Sequence, residues 1–431
     1  MRTFLRVVTI FVVALMAITA QSLAETPPIQ VTAIVGANVV NLEGAPILDA
    51  VVLIEGERIA AVGPAATIKI PAGAKVIRAT GKWIVPGLMN LHVHLGLKLP
   101  GRAGAELANE SEAALALRMA VNARESLRAG VTTLRLVGES LHADFALKAA
   151  IDRGDMEGPR LFTAGKVVDV TGGHGAQDVP TANDGPYEIR KAARREILAG
   201  ATWIKICISG GIADRRGAIA ASHMTLDEMQ AATDIAHRHG VKVAAHSGSP
   251  TATLEAIEAG LDCVEHGYFL TEDVLRKMKE KGTWYVPTIV VSRPATRSFY
   301  EKIGSPDWYL ARVESAGKQH WASLEAAIKM GVQIALGTDQ FPYEPNDGTT
   351  ATVREAQYYV EAGMTPLQAL RAATIEPARC LGAADQLGSI EKGKYADLIM
   401  VDRDPTKDLS SLREIRFVMK GGQVVRSELG T

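Results

Sequence analysis

The sequence has few cysteines and almost no net charge. Three of its 431 residues are cysteines, an odd number spread far apart, which excludes a disulfide framework. The 47 basic and 48 acidic residues leave a formal net charge of −1. This balance argues against a polybasic nucleic-acid binder, because no positive field exists to neutralise phosphates. A disordered chain is also excluded, since 47% of the residues are hydrophobic and only 22% are charged.

The first 24 residues differ in composition from the rest of the chain. Arg2 and Arg6 precede an apolar run over 7–20, and 22–24 (Ser-Leu-Ala) places small residues where a signal peptidase cleaves. The run is short for the roughly 20 residues that a membrane span requires. We therefore predict a signal peptide at 1–24, a periplasmic or secreted protein, and no membrane attachment after cleavage.

Both ends of the remaining chain are predicted to form short β-strands. Apolar segments there are separated by turn-like clusters such as 55–57 (Glu-Gly-Glu) and 421–422 (Gly-Gly). The predicted strands are 31–40, 50–54, 58–62, 75–79, 396–401, 415–419 and 423–426. Since two β-rich ends surround a different middle, we predict one small β-sandwich domain built from 25–85 plus 390–431.

From 86 to 389, short apolar strands alternate with helical stretches. The predicted strands are 88–95, 132–137, 160–164, 203–208, 241–246, 263–268, 284–290 and 332–339. Eight strands with intervening helices favour an α/β fold of the (β/α)8 TIM-barrel type. A doubly wound sheet is the main alternative, but it normally carries fewer strands.

Polar residues recur near the ends of these predicted strands, where a barrel carries its chemistry. His92 and His94 are two residues apart and share one face of the first strand, which suits either a metal ion or two buried, hydrogen-bonded histidines. Lys205 lies in an apolar strand, where its amine requires an ion pair, a Schiff base or a carbamate that bridges two metals. Three further strands carry His246, His266 and Asp339. The six together indicate a site, because core residues would not choose the same end of each strand.

These motifs resemble the amidohydrolase superfamily in its two-metal, carboxylated-lysine form. The resemblance covers 86–94 (Pro-Gly-Leu-Met-Asn-Leu-His-Val-His), the Lys205 strand, His246, His266 and 337–339 (Gly-Thr-Asp). The segments 203–211 and 171–175 are similar to the imidazolonepropionase-like and Xaa-Pro dipeptidase-like group, which also includes ochratoxin-type amidases. One departure is Asn90, where many relatives have Asp, but it lies outside the metal ligands.

The resemblance implies two divalent metal ions, with zinc favoured. The residues that it implies as ligands are His92, His94 and Asp339 for the first metal, His246 and His266 for the second, and Lys205, carboxylated on its side-chain nitrogen by CO₂, as the bridge. A hydroxide held between the metals would attack the carbonyl, while Asp339 moves the proton to the leaving nitrogen. The expected substrate is a small molecule: a dipeptide or an N-acyl amino acid, including aromatic-acyl amino acids such as ochratoxin.

Residues that contact the substrate are harder to predict. His174, in a glycine-rich loop, could polarise the carbonyl, bind a carboxylate or stabilise its loop. Arg215 and His223 lie in the long loop after strand four, where they could bind a carboxylate or be solvated, and Tyr268 could face the pocket. The long aromatic segment 292–316 is expected to form either a lid or a contact with a partner subunit in a homo-oligomer.

Two alternative functions stay open at this point. A mononuclear cyclic-amide hydrolase or deaminase often lacks the bridging lysine and has a Glu soon after the strand-five histidine. Here Lys205 is present and 247–249 is Ser-Gly-Ser, which favours two metals. A catalytically inactive secreted binding protein is the other alternative, and the intact set of six polar residues argues against it.

Overall fold

The computed structural model describes residues 30–176 and 182–430. The predicted signal peptide at 1–24 lies outside the described residues. Within those ranges, no helix combines the length and the apolar character needed to cross a bilayer.

The strands of the described chain are short and are numbered in chain order. They are β1 Val31–Val39, β2 Ile47–Glu55, β3 Arg58–Pro64, β4 Lys75–Arg78, β5 Trp83–Pro86, β6 Leu88–Val93, β7 Val131–Leu136, β8 Arg160–Thr163, β9 Trp203–Cys207, β10 Lys242–Ser247, β11 Cys263–His266, β12 Trp284–Val286, β13 Pro345–Asn346, β14 Thr349–Thr350, β15 Leu398–Val401, β16 Phe417–Lys420 and β17 Gln423–Ser427.

The helices lie in the middle region, and several of them begin after a residue whose side chain caps them. They are α1 Arg102–Glu106, α2 Glu112–Arg128, α3 Ala143–Asp152, α4 Gly185–Ala199, α5 Leu226–Arg238, α6 Pro250–Glu258, α7 Glu272–Lys281, α8 Arg297–Lys302, α9 Asp307–Met330, α10 Ala351–Glu361, α11 Pro366–Ala372 and α12 Ile375–Leu381. Helix α2, for example, begins after Ser111, whose hydroxyl accepts from the backbone N–H of Ala114.

One sheet joins strands from both ends of the chain. Its order is β17-β16-β15-β5-β1-β2-β3, with β4 beside β1. Strands β5 and β15 pair antiparallel, from Pro86 opposite Leu398 to Trp83 opposite Val401. The domain boundaries at 25–85 and 390–431 stay a prediction.

The middle of the chain carries two parallel sheets, β6-β7-β8 and β9-β10-β11-β12. Backbone hydrogen bonds continue past their edges: Val168 N donates to Lys205 O, and Leu91 N donates to Leu336 O. The chain is therefore a mixed α/β protein, and the carboxyl ends of its parallel strands lie at one face.

The last two strands of the middle region are shorter in the structure than the sequence predicts. The strand predicted at 284–290 ends at Val286, because Pro287 has no N–H and Thr288 adopts a left-handed backbone with φ 50°. The strand predicted at 332–339 is wrong as a named strand: the segment forms a single parallel bridge, Ile334 to Tyr285.

The aromatic segment 292–316 packs into the core. Phe299, Tyr300 and Tyr309 are buried, and the Tyr300 hydroxyl donates to the carbonyl oxygen of Val291. The aromatic rings that were expected to form a lid or a subunit contact are therefore packed inside this chain.

Candidate metal centre

Six polar side chains meet at the carboxyl ends of the parallel strands. Strand β6 carries His92 and is followed by His94, β9 carries Lys205, β10 carries His246, β11 ends at His266, and the segment 332–339 ends at Asp339. All six line one cavity of about 1000 Å³. The sequence-based grouping of these residues therefore corresponds to one place in the molecule.

His92, His94 and Asp339 form the tightest part of the cluster. Asp339 Oδ1 lies 3.6 Å from His92 Nε2 and 3.5 Å from His94 Nε2. One potential ligand atom from each residue lies within 4.8 Å of the others. Two imidazole nitrogens and one carboxylate oxygen form a donor set that zinc and similar divalent ions accept.

His246 and His266 lie beside this group, with ring centroids 4.7 Å apart. Each ring uses one nitrogen in a hydrogen bond to the protein: His246 Nε2 to the carbonyl oxygen of Gly210 at 3.0 Å, and His266 Nδ1 to Thr288 Oγ1 at 2.8 Å. These bonds orient the rings and leave the second nitrogen of each available as a ligand.

The amine of Lys205 is buried among these imidazoles, and no ion pair to it is found in the described ranges. Burial is the main cause that lowers the pKa of each cluster histidine, to about 4 for His94, and the charge of Lys205 lowers them further. The histidines are thus neutral near pH 7, the state in which imidazole binds a metal.

Burial raises the pKa of Asp339 to about 7, and Lys205 and His174 oppose the rise. The Asp339 side chain is 23% exposed and lines the cavity. A carboxyl group with a pKa near neutrality can both accept and return a proton.

Two residues of the cluster and one that contacts it have left-handed backbones, although none is glycine. The φ angles are 64° for His266, 50° for Thr288 and 50° for Asp339. Each such conformation costs of order 1 kcal/mol or more and is found most often at functional sites. The side chains of His266 and Asp339 line the cavity, and Thr288 Oγ1 contacts His266 Nδ1.

Asn90, which replaces the Asp found in many relatives, forms hydrogen bonds that hold the first metal group in place. Its Nδ2 donates to Thr338 Oγ1 at 2.8 Å, and its Oδ1 accepts from the backbone N–H groups of His92 and Thr338. An amide supplies both donor and acceptor here, so it ties β6 to the residue that precedes Asp339.

The structure places the four predicted substrate residues in different surroundings. His174 lines the cavity, stacks on His246 with ring centroids 3.9 Å apart, and bonds through Nδ1 to Asp214 Oδ1 at 2.5 Å. Arg215, His223 and Tyr268 are absent from the described lining of that cavity: Arg215 is exposed, His223 is half-buried, and Tyr268 is buried and stacks on His266.

Four residues that contact and orient the cluster were not predicted from the sequence: Arg135, Asp214, Glu265 and Thr288. Asp214 orients His174, and Glu265 accepts from His92 Nδ1 at 2.7 Å. A carboxylate inside the apolar strand Cys263–His266 was the available signal, since such a group is rarely buried without a partner. Asp214 gave no comparable signal, because it lies in a loop beside Arg215 and Arg216, where an aspartate is ordinarily solvated.

The absence of a side chain at Gly337 is predicted to be essential for the geometry of the first metal group. A Cβ at Gly337 would lie 2.3 Å from Val286 Cγ1 and 2.9 Å from the backbone nitrogen of His92. Gly337→Ala should lower the free energy of unfolding by about 1–3 kcal/mol and weaken metal binding, as measured by thermal unfolding with and without Zn²⁺. Gly44→Ala is the matched control, since its Cβ would meet only the flexible Asn41 side chain; equal stability losses in both variants would contradict the prediction.

Comparison with known proteins gives consistent results. The sequence profile of the amidohydrolase family matches residues 83–425. An ochratoxinase from Aspergillus niger is 29% identical over 446 residues, covering 94% of this chain and 88% of that protein. An imidazolonepropionase from Shouchella clausii is 25% identical, covering 87% and 85% of the two chains. The crystal structure of a Xaa-Pro dipeptidase with methionine bound in its active site superposes with a TM-score of 0.83 at 31% identity, covering 92% of this chain and 99% of the other.

Proposed function

The chain belongs to the amidohydrolase family, and from this premise we propose that it hydrolyses the amide or peptide bond of dipeptides or N-acyl amino acids. The family membership and an enzyme that acts on C–N bonds confirm two predictions made from the sequence. The observation that carries the proposal is the cluster of six metal-ligating side chains in one cavity.

The proposal includes a closed (β/α)8 barrel in the middle of the chain. The bond from Val168 N to Lys205 O bridges the two parallel sheets on one side. On the other side, the segment 332–336 lies between β12 and β6: Tyr285 N donates to Gln333 O, and Leu91 N donates to Leu336 O. These contacts support a ring of eight segments, with the terminal sheet as a separate β-domain and 1–24 as an export signal.

The donor set fits two divalent ions. His92, His94 and Asp339 would hold one ion, His246 and His266 the other, and Lys205 would bridge them as a carbamate. Reaction of the neutral amine with CO₂ forms an N–C bond and releases one proton, which converts a potential cation into an anion. An anion at this position suits the site, because four imidazoles otherwise surround a buried amine.

When bound, the ions would polarise the substrate carbonyl and lower the pKa of water. The side chains of the protein do the remaining work. Asp339 accepts the proton of the attacking water and returns it to the leaving nitrogen. Asp214 accepts from His174 Nδ1, so Nδ1 carries the ring proton, and the lone pair of Nε2 accepts a hydrogen bond from an N–H group of the substrate.

Two relatives support the substrate class. One acts on ochratoxin by its name, and the other, a Xaa-Pro dipeptidase, has methionine in its active site. A cavity of about 1000 Å³ accommodates a dipeptide or an aromatic-acyl amino acid.

The role of Asp214 gives a prediction specific to catalysis. In Asp214→Asn, the amide can donate to His174 Nδ1, which places the ring proton on Nε2 and removes the lone pair that accepts from the substrate. We expect kcat to fall by about 10- to 100-fold with little change in bound metal, measured by steady-state kinetics and metal analysis. Asp227→Asn, at the exposed start of α5, is the control; unchanged kcat in Asp214→Asn would contradict the assignment.

The substrate is best tested with purified protein supplied with Zn²⁺ and bicarbonate. The panel should contain dipeptides, N-acyl amino acids with aromatic and aliphatic acyl groups, cyclic amides and aminated heterocycles. Release of free amino acid supports the proposal. Turnover of cyclic amides alone would favour a ring hydrolase, which is the second candidate because this chain is similar to an imidazolonepropionase. Binding without turnover would favour a binding protein.

A further inference from the structure

A carboxylate and a guanidinium, both fully buried, lie behind the imidazole of His92. Glu265 comes from β11 and Arg135 from β7, and neither side chain is exposed to solvent. Removing two charges from water costs free energy that two packed apolar side chains would not cost. The pair is therefore not explained by stability alone.

Most contacts of the pair lead to His92 or to the residue before it; Arg135 Nη2 also donates to Cys263 Sγ at 3.6 Å. Glu265 Oε2 lies 2.7 Å from His92 Nδ1, and Glu265 Oε1 lies 2.5 Å from Arg135 Nη2. Arg135 also donates from Nε to the carbonyl oxygen of Leu91, the residue before His92, at 2.7 Å. Its guanidinium carbon is 4.4 Å from the centroid of the Trp203 ring, which limits its movement.

These contacts determine where the imidazole proton lies. A carboxylate only accepts hydrogen bonds, so His92 Nδ1 must carry the proton. His92 Nε2 then bears the free lone pair, and it is this atom that lies 3.6 Å from Asp339 Oδ1. We propose that Glu265, held by Arg135, is a positioning residue that fixes the tautomer and ring orientation of His92 for metal binding.

This inference rests on the proposed function, because His92 binds a metal only if the cluster is a metal centre. It assigns a role in metal affinity to Glu265 and Arg135, which are not themselves ligands. A carboxylate behind a ligating imidazole also increases the basicity of that imidazole, which strengthens the metal bond.

The test is Glu265→Gln, with Zn²⁺ affinity measured by chelator competition. Glutamine has one acceptor and one donor group, so it cannot accept from both His92 and Arg135. If its NH₂ faces His92, the imidazole proton moves to Nε2 and the metal-binding lone pair is lost. We expect Zn²⁺ to bind about 10- to 100-fold more weakly than in the wild type.

A matched control and a second variant separate positioning from a general loss of structure. Glu196→Gln removes another buried carboxylate that pairs with a histidine, His142, at 2.8 Å, and it should keep wild-type affinity. The double variant Arg135→Met with Glu265→Gln frees the glutamine carbonyl to accept from His92, and it should recover part of the affinity.

The outcomes are distinct. Wild-type Zn²⁺ affinity in Glu265→Gln, or an equal loss in Glu196→Gln, would overturn the inference while leaving the proposed function intact. No Zn²⁺ binding by the wild type would overturn both. If Glu265→Gln does not fold, the tautomer can be read in the metal-free wild type by ¹H–¹⁵N NMR with ¹⁵N-labelled histidine, assigned by loss of a signal in His92→Gln. The proton should be on Nδ1, and a proton on Nε2 would overturn the inference.

Discussion

Asp339→Asn is expected to lower kcat by about 10²- to 10⁴-fold. The amide keeps an oxygen near His92 and His94, so the variant should still bind metal, but it cannot accept a proton and return it to the leaving nitrogen. Steady-state kinetics on the best substrate and metal analysis of the same preparation measure both effects.

The control is Glu188→Gln, which alters an exposed carboxylate that lines the same cavity. Glu188 lies in the first turn of α4, and its Oε2 accepts from the backbone N–H of Asp184. Glu188→Gln should keep most of the activity. Full activity in Asp339→Asn would refute the assigned proton transfer, and loss of metal from that variant would show that Asp339 acts mainly as a ligand.

In Lys205→Ala, bound metal and activity are expected to be lost together. The substitution removes the only proposed bridge between the two ions and leaves the histidines without an anion between them. We expect activity at background level, a loss of at least about 10³-fold. Metal analysis after gel filtration and kinetics under saturating substrate measure the two losses.

Short carboxylic acids such as acetate or propionate should restore part of both properties in Lys205→Ala, because their carboxylate can replace that of the carbamate. Lys166→Ala is the control, since Lys166 lines the same cavity but is exposed; it should keep metal and activity. Retention of both metals and the full rate in Lys205→Ala would mean that no carbamate bridge is required.

The sequence predicted the positions of the cluster residues well because they follow strands with a simple period of two. His92 and His94 share a face for this reason, and Lys205 is conspicuous among Ile and Cys neighbours. The start of β6, β7, β8 and β9 lies within one residue of its predicted position, since apolar runs bounded by turn residues specify a buried strand.

The residues that support the cluster could not be predicted with the same rules. Glu265 contacts His92 across 173 positions of sequence, and Arg135 contacts Glu265 across 130. Such contacts depend on how strands are arranged around one another, which local periodicity does not encode. The segment ending at Asp339 was predicted as a strand because its residues are apolar. Its backbone hydrogen bonds are instead divided among β6, β12, α9 and the end of α11, so it forms no regular ladder.

The metal content of the purified wild-type protein tests the central claim most directly. The protein should be freed of metal, incubated with Zn²⁺ and bicarbonate, separated from free ions by gel filtration and analysed by mass spectrometry of its metals. The two-metal centre predicts about two ions per chain. About one ion per chain would contradict the lysine-bridged centre and favour the mononuclear alternative, and none would contradict a metal-dependent amidohydrolase altogether.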